Sequence, residues 1–179
     1  PMTESLIRGM MACGYMAYSP SALFLNGEYW GIHNIREKFD TRYFSENFNV
    51  NPDNLDHLEY TTTQNGTEMQ VVEGTLDHYS TMIDYIMNND LNNAAIYNEI
   101  QQRMNVDSFI DHIIMTIYCA NTSWGHNREW WRPREENGKW QWLIVDLDRG
   151  FNLNNSNTNL VDNLKDDYES VSYTHLTLP

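Results

Sequence analysis

Cationic side chains are scarce in this chain: 11 Lys and Arg stand against 25 Asp and Glu, a formal charge of −14 over 179 residues. Such an acidic balance argues against nucleic acid or an anionic membrane surface as the main partner. Cysteine is scarcer still. Cys13 and Cys119 lie far apart and match no metal-ligand spacing; Cys119 falls in an apolar helical pattern and reads as a buried thiol rather than half of a disulfide. No run of about 18 apolar residues occurs, so no membrane-spanning helix is expected. Internal repeats are absent too. What remains is enough chain for one domain with a real core, or a large part of a bigger one.

The pattern along the chain is mixed. Thr3 to Cys13 reads as a helix with Leu6, Ile7, Met10 and Met11 on one stripe, Thr3 as its N-cap and Gly14 as its stop. Ala22 to Leu25 and Glu28 to Ile35 read as strands around Asn26-Gly27, a hairpin signal because both turn positions need positive φ. A short helix is expected over Thr41 to Phe48, a turn at Asn51-Pro52-Asp53, a short strand over Leu55 to Tyr60 and a loop over Thr61 to Gly66. Three helical stripes follow, from Leu76, over Ala94 to Met104, and from Val106 with Asn105 as cap. His78 and His112 sit in these helices with no partner at metal-ligand spacing and read as ordinary surface or core residues. Hairpins separated by helices, without regular strand–helix alternation, point to an α+β fold.

One stretch organises the rest: Asn121 to Phe151, N-T-S-W-G-H-N-R-E-W-W-R-P-R-E-E-N-G-K-W-Q-W-L-I-V-D-L-D-R-G-F. Arg128 to Arg132 and Lys139 to Val145 read as two strands, and Asn137-Gly138 as the turn between them. A turn centred there faces Asn127 with Leu147 and Asp148. Period-two alternation puts Asp146 and Asp148 on one face while the strand stays extended. One carboxamide and two carboxylates then converge, all hard oxygen ligands of the kind Mg²⁺ takes together with substrate phosphates. The plainer alternative is that Asp-x-Asp starts a turn and Asn127 caps one.

These residues carry a resemblance. F-L-N-G-E-Y-W-G-I-H-N-I-R-E-K-F-D, N-T-S-W-G-H-N, W-W-R-P, G-K-W-Q-W and D-L-D-R-G-F, in this order, resemble the CotH kinase family. These are secreted or spore-coat-associated bacterial proteins with an atypical protein-kinase-like fold. The resemblance spans most of Met2 to about Phe151. It implies a partial kinase fold here: the end of an N-lobe, then the start of a mostly helical C-lobe bearing a catalytic hairpin. It implies transfer of the ATP γ-phosphoryl group, with Mg²⁺, to Ser or Thr of a protein substrate, in a secreted or cell-surface setting.

Residue by residue, Asn127 resembles the metal-coordinating Asn of the catalytic loop, Asp146 the metal-binding Asp, and Asp148 the second acid of the family's Asp-x-Asp. The strand Glu28 to Arg36 resembles the one lining the nucleotide pocket, which makes Arg36, Glu37 and Lys38 cofactor-binding candidates, Glu37 aligning with the family's recurrent Glu. Two departures stand out. Ser123 occupies the place where many members carry an Asp that accepts the substrate hydroxyl proton, and a serine does not do this at neutral pH. His126, three residues on, is the available substitute by its chemistry, although along a strand it would point away from Asn127; its other reading is a turn residue that holds the loop. The second departure is that the phosphate-covering loop and the strand with the phosphate-binding basic residue are expected upstream of Pro1, so the chain is expected to be part of a longer protein and inactive alone.

The kinase-like domain is expected over residues 1–170. Val171 to Pro179, V-S-Y-T-H-L-T-L-P, looks foreign to the gene, like translated sequencing-adaptor read-through, and is left out of the functional reading. Two other functions fit parts of the pattern. One is a non-catalytic module, a pseudokinase or a surface domain binding polysaccharide or protein through Trp124, Trp130 and Trp131. The other is a glycosyltransferase holding a nucleotide-sugar metal with Asp-x-Asp.

Overall fold

The chain's computed structural model describes residues 2–64, 66–152, 154 and 157–162, with side chains from Ser5 onward. Helix α1 spans Met2–Ile7. It ends well before Cys13, and Gly9 takes a left-handed φ of 73° just beyond it, as a helix terminator does. Strands β1 (Tyr18–Leu25) and β2 (Glu28–Arg36) form a two-stranded sheet of their own. The Asn26-Gly27 turn is as expected, with φ of 53° and 86° and Leu25 paired to Glu28. β1 begins earlier than Ala22, because the pairing runs down to Tyr18 opposite Arg36.

Helix α2 (Thr41–Phe48) is capped by Asp40, whose Oδ1 accepts from the Tyr43 amide at 3.0 Å. Strands β3 (Leu55–Thr63) and β4 (Gly66–Glu73) come next. The segment expected as loop from Thr61 is therefore mostly strand: β3 runs on to Thr63 and β4 pairs back along it. Gln64, Asn65 and Gly66 give the stretch a turn-like composition, while the ladder between β3 and β4 supplies the order. Helices α3 (Asp77–Met87), α4 (Ala94–Arg103) and α5 (Val106–Tyr118) follow, α5 capped by Asn105 as expected. A 3₁₀ turn at Trp124–His126 leads into β5 (Arg128–Pro133), and β6 covers Gln141–Leu143.

The second sheet has the order β4-β3-β5-β6 and is antiparallel throughout. Its central strand β5 explains the W-W run. Trp130 and Trp131 are both buried but belong to different cores: Trp130 packs with Tyr79, Trp140 and Trp142, and Trp131 packs with Phe44, Leu55 and Leu143. Alternation along a strand sends neighbours to opposite faces. Helices α3, α4 and α5 cover one face and α2 the other, so a central strand covered on both sides reads as a continuous aromatic run. Each large aromatic side chain buried this way stabilises the fold by roughly 1.5–3 kcal/mol.

Among the described residues no helix is long and apolar enough to cross a membrane. Both cysteines are buried and free; burial pushes the Cys119 thiol up to about 11, so it stays protonated. The proposed boundary at residue 170 and the tail from Val171 lie outside the described residues.

Candidate functional site

The site is built where the end of α5 meets the open end of the β5–β6 hairpin. After Tyr118 the chain turns through Ala120, whose φ is 49°. Asn121 is 1% exposed and its Oδ1 accepts from the Ser123 amide at 3.2 Å, a side-chain turn that starts the 3₁₀ segment. Arg128 braces the loop from beneath. Its guanidinium lies over the rings of Tyr60 and Trp124, 4.3 and 4.9 Å from their centroids, and donates to the Gly125 carbonyl.

The other half of the site comes from the D-L-D-R-G-F segment. Asp146 takes a left-handed φ of 40°, which ends the extended run after β6. A tight turn closes between Leu147 and Gly150, and the Phe151 amide donates to the Cys119 carbonyl at 2.6 Å. Gly150 is required there because a Cβ would stand 2.9 Å from the Cys119 Cβ. Tyr118 and Phe151 add an edge-on ring contact at 5.6 Å. The two loops are thus fastened to each other through Cys119.

At their meeting point, Asn127 Nδ2 donates to Asp146 Oδ2 at 2.9 Å and to Ser123 Oγ at 2.9 Å. Ser123 Oγ lies 3.2 Å from His126 Nε2. Partial burial raises the Asp146 pKa, and the neighbouring Asp148 carboxylate raises it further by its charge and a hydrogen bond; Asn127 and His126 pull the other way. A carboxylate whose proton affinity is raised by a second one, beside a carboxamide with its own oxygen, makes a set of hard oxygen donors that could hold a divalent cation. Among the described residues no group of three or more His, Cys, Asp or Glu side chains gathers to hold a metal. The candidate set is therefore two acids and an amide, the sparse ligation typical of Mg²⁺ sites completed by phosphates.

The expected convergence of Asn127, Asp146 and Asp148 is present, but by a different route. The turn between the strands is not centred on Asn137-Gly138. It closes from Glu135 to Gly138, whose amide donates to the Glu135 carbonyl at 3.0 Å, and neither Asn137 nor Gly138 has positive φ. Gly138 is needed instead because a Cβ would run into the Pro133 carbonyl. The register pairs Trp130 with Trp142, which continued would face Asn127 with Val145 rather than Leu147. The left-handed turn at Asp146 then swings its carboxylate to Asn127. Alternation along a strand does not relate Asp146 to Asp148, since Asp148 already lies in the following turn.

Other expectations change as well. Residues 124–126 form a 3₁₀ turn rather than a strand, so His126 shares the Ser123 hydroxyl with Asn127 instead of pointing away from it. Arg36, the last residue of β2 in the other sheet, and Lys38, two residues beyond it, are both exposed. Glu37 is engaged locally: its carboxylate accepts from the Ala17 amide at 2.7 Å, while its own amide donates to the Ala17 carbonyl. Trp124, Trp130 and Trp131 are all buried and offer no face to a sugar ring. The Arg128 brace and the Cys119–Gly150 contact have no short-range motif; the one sequence signal for them was the G-F following Asp-x-Asp.

No curated protein matches the sequence. The family model described as CotH kinase protein matches residues 1–176, nearly the whole of the 179-residue chain. The motifs that organise the chain and the loops that bring Asn127 to Asp146 all fall inside that match, and the chain belongs to the CotH kinase family.

Proposed function

We propose that this chain carries the phosphoryl-transfer centre of an atypical protein kinase, with ATP and Mg²⁺ as cofactors and Ser or Thr of a protein as acceptor. The observation that carries the reading is the Asn127–Asp146 contact with Asp148 against it. Asn127, Asp146 and Asp148 would hold the metal, which when bound draws the phosphate oxygens together and offsets the charge that develops in transfer. The β1–β2 hairpin with Arg36, Glu37 and Lys38 corresponds to the nucleotide side, and α3 to α5 with the β5–β6 hairpin to the helical side, of a partial kinase-like fold.

Ser123 is not the base in this reading. Its hydroxyl is used twice, accepting from Asn127 and bonding His126, so it positions the Asn127 carboxamide. Loss of a general base costs about 10²- to 10⁴-fold, which leaves a slow kinase. Titration calorimetry on the full-length protein should show ATP binding only with divalent metal, and Asp146→Ala should weaken it most. Equal, metal-independent binding by both proteins would sink the kinase reading. In a time course of labelled phosphate transfer, Ser123→Asp should outpace wild type while binding Mg-ATP unchanged. The Ser at this position also favours a second reading, a nucleotide-binding pseudokinase: wild type, Ser123→Asp and His126→Ala would then all bind Mg-ATP and transfer nothing.

A further inference from the structure

On the far side of His126 the molecule has a groove that Asn127, Asp146 and Asp148 do not line. It is half open, measures about 890 Å³, and runs between β4, α3 and the loop that carries Thr122 to Arg128. Met69, Ile83 and Met87 supply its apolar lining, Asp84 its acid, and His126 one end. That volume lies at the upper end of roughly 300–1,000 Å³ for ligand sites, and the mix of apolar wall and few polar groups is theirs too.

We infer that this groove seats the acceptor side of the protein substrate: an extended polypeptide segment with its Ser or Thr hydroxyl at His126 and a large apolar side chain, a few residues away, between Met69, Ile83 and Met87. The inference rests on the kinase reading for the acceptor role, but the binding it describes does not need ATP.

Continuity argues for it first. The His126 imidazole lines the groove and also touches Ser123, whose hydroxyl bonds Asn127, which bonds Asp146. A ligand at His126 is therefore two side chains, His126 and Ser123, from the metal-holding set. Chemistry selects the occupant. Arg128 also lines the groove, but its guanidinium is buried between Tyr60 and Trp124, which leaves Asp84 as the exposed charge of the lining, on a chain of net charge −14. A triphosphate is repelled there, and so is an acidic peptide. A sugar has no platform, because the ring of Tyr60 is covered by that same guanidinium. Methionines, flexible and polarisable, suit apolar side chains of varied shape, and Met69 and Ile83 are backed by the core.

The test uses the full-length protein labelled with ¹³C at its methionine methyls, titrated with Ser-centred peptides. One set carries Leu or Phe near the Ser, and a matched set carries Asp. The Met69 and Met87 methyl signals should shift with the first set and not the second, in the absence of ATP. Met87→Glu, at an exposed site that tolerates a charge, should weaken this binding and raise the peptide KM about tenfold with kcat within about twofold. Ile83→Asp should do the same where it folds. If the peptides shift these methyls but no phosphate is transferred, the groove stands and the kinase reading fails. If they are phosphorylated with a KM that Met87→Glu leaves unchanged, or if chito-oligosaccharides shift the methyls and peptides do not, the groove assignment is overturned.

Discussion

The two hairpins of this protein carry the same Asn-Gly signal and use it in opposite ways. At Asn26-Gly27 the turn adopts the positive φ values the dipeptide favours, and the β1–β2 register follows from it. Yet that hairpin contributes little to the core: Trp30 is 58% and Ile32 72% exposed, and Phe24, Tyr29 and Ile35 are exposed as well. At Asn137-Gly138 the favoured turn is not formed, and yet the β5–β6 hairpin is the centre of the molecule, with Trp130, Trp131, Trp140 and Trp142 all buried. Local chemistry decides the shape of a turn only when nothing else competes for the segment. Around Glu135 to Gly138, Trp140 is held by the Arg103 carbonyl, by His78 and by Tyr79, and packing sets the register instead.

The largest effect separating the two regions should come from their tryptophans. Trp140→Ala removes a fully buried indole from the main core and leaves His78 without its donor, and should lower stability by about 3–5 kcal/mol in a urea melt. A loss under 1 kcal/mol would mean that the buried hairpin is no better anchored than the exposed one.

Next is acid. His112 lies on α5, fully buried, with Nδ1 bonded to the Leu143 carbonyl at 3.1 Å, and burial lowers its pKa to about 4. The folded state keeps it neutral while the unfolded state takes up a proton near pH 6.5, so its contribution is complete above that pH and is lost as pH falls to about 4. The loss should amount to about 3 kcal/mol across that window, and His112→Gln should flatten it. Because the bond ends on β6, an unchanged slope would detach the β5–β6 hairpin from α5.

The glycines sharpen the contrast. Gly27→Ala strains the backbone, with open space around the new methyl, and should cost about 1–2 kcal/mol. Gly138→Ala meets the Pro133 carbonyl with no strain in φ, and should cost about 1–3 kcal/mol by overpacking. A D-alanine at position 27, introduced by synthesis, should restore stability, since positive φ suits it. The smallest effect is expected from Trp30→Ala, under about 0.5 kcal/mol; a larger one in thermal melts would show that the exposed hairpin has a partner in solution.

How much could be read in advance follows the same division. Helix α5 was legible with its cap because Asn105 acts within one turn of itself, while the caps of α2 and α4, Asp40 and Asn93, emerge from the structure. Strand β4 was not, since its polar residues acquire order only from the ladder with β3. At the site, the residues were legible as types and their meeting was expected, but through a register the structure does not have. The kink at Asp146 compensates for that register, and a single left-handed aspartate has no pattern to announce it. The resemblance to the CotH kinase family supplied what spacing alone did not, the separate roles expected of Asn127, Asp146 and Asp148 at one metal.

One contact has a consequence for motion. Because the Phe151 amide holds the Cys119 carbonyl and Gly150 fits only against the Cys119 side chain, neither loop can open while the other stays shut. The last turn of α5 acts as a latch on both, so a fluctuation that frays Tyr118 and Cys119 parts Asn127 from Asp146 in the same event. The order of the helix end and the presentation of the two acids are thereby tied to one another.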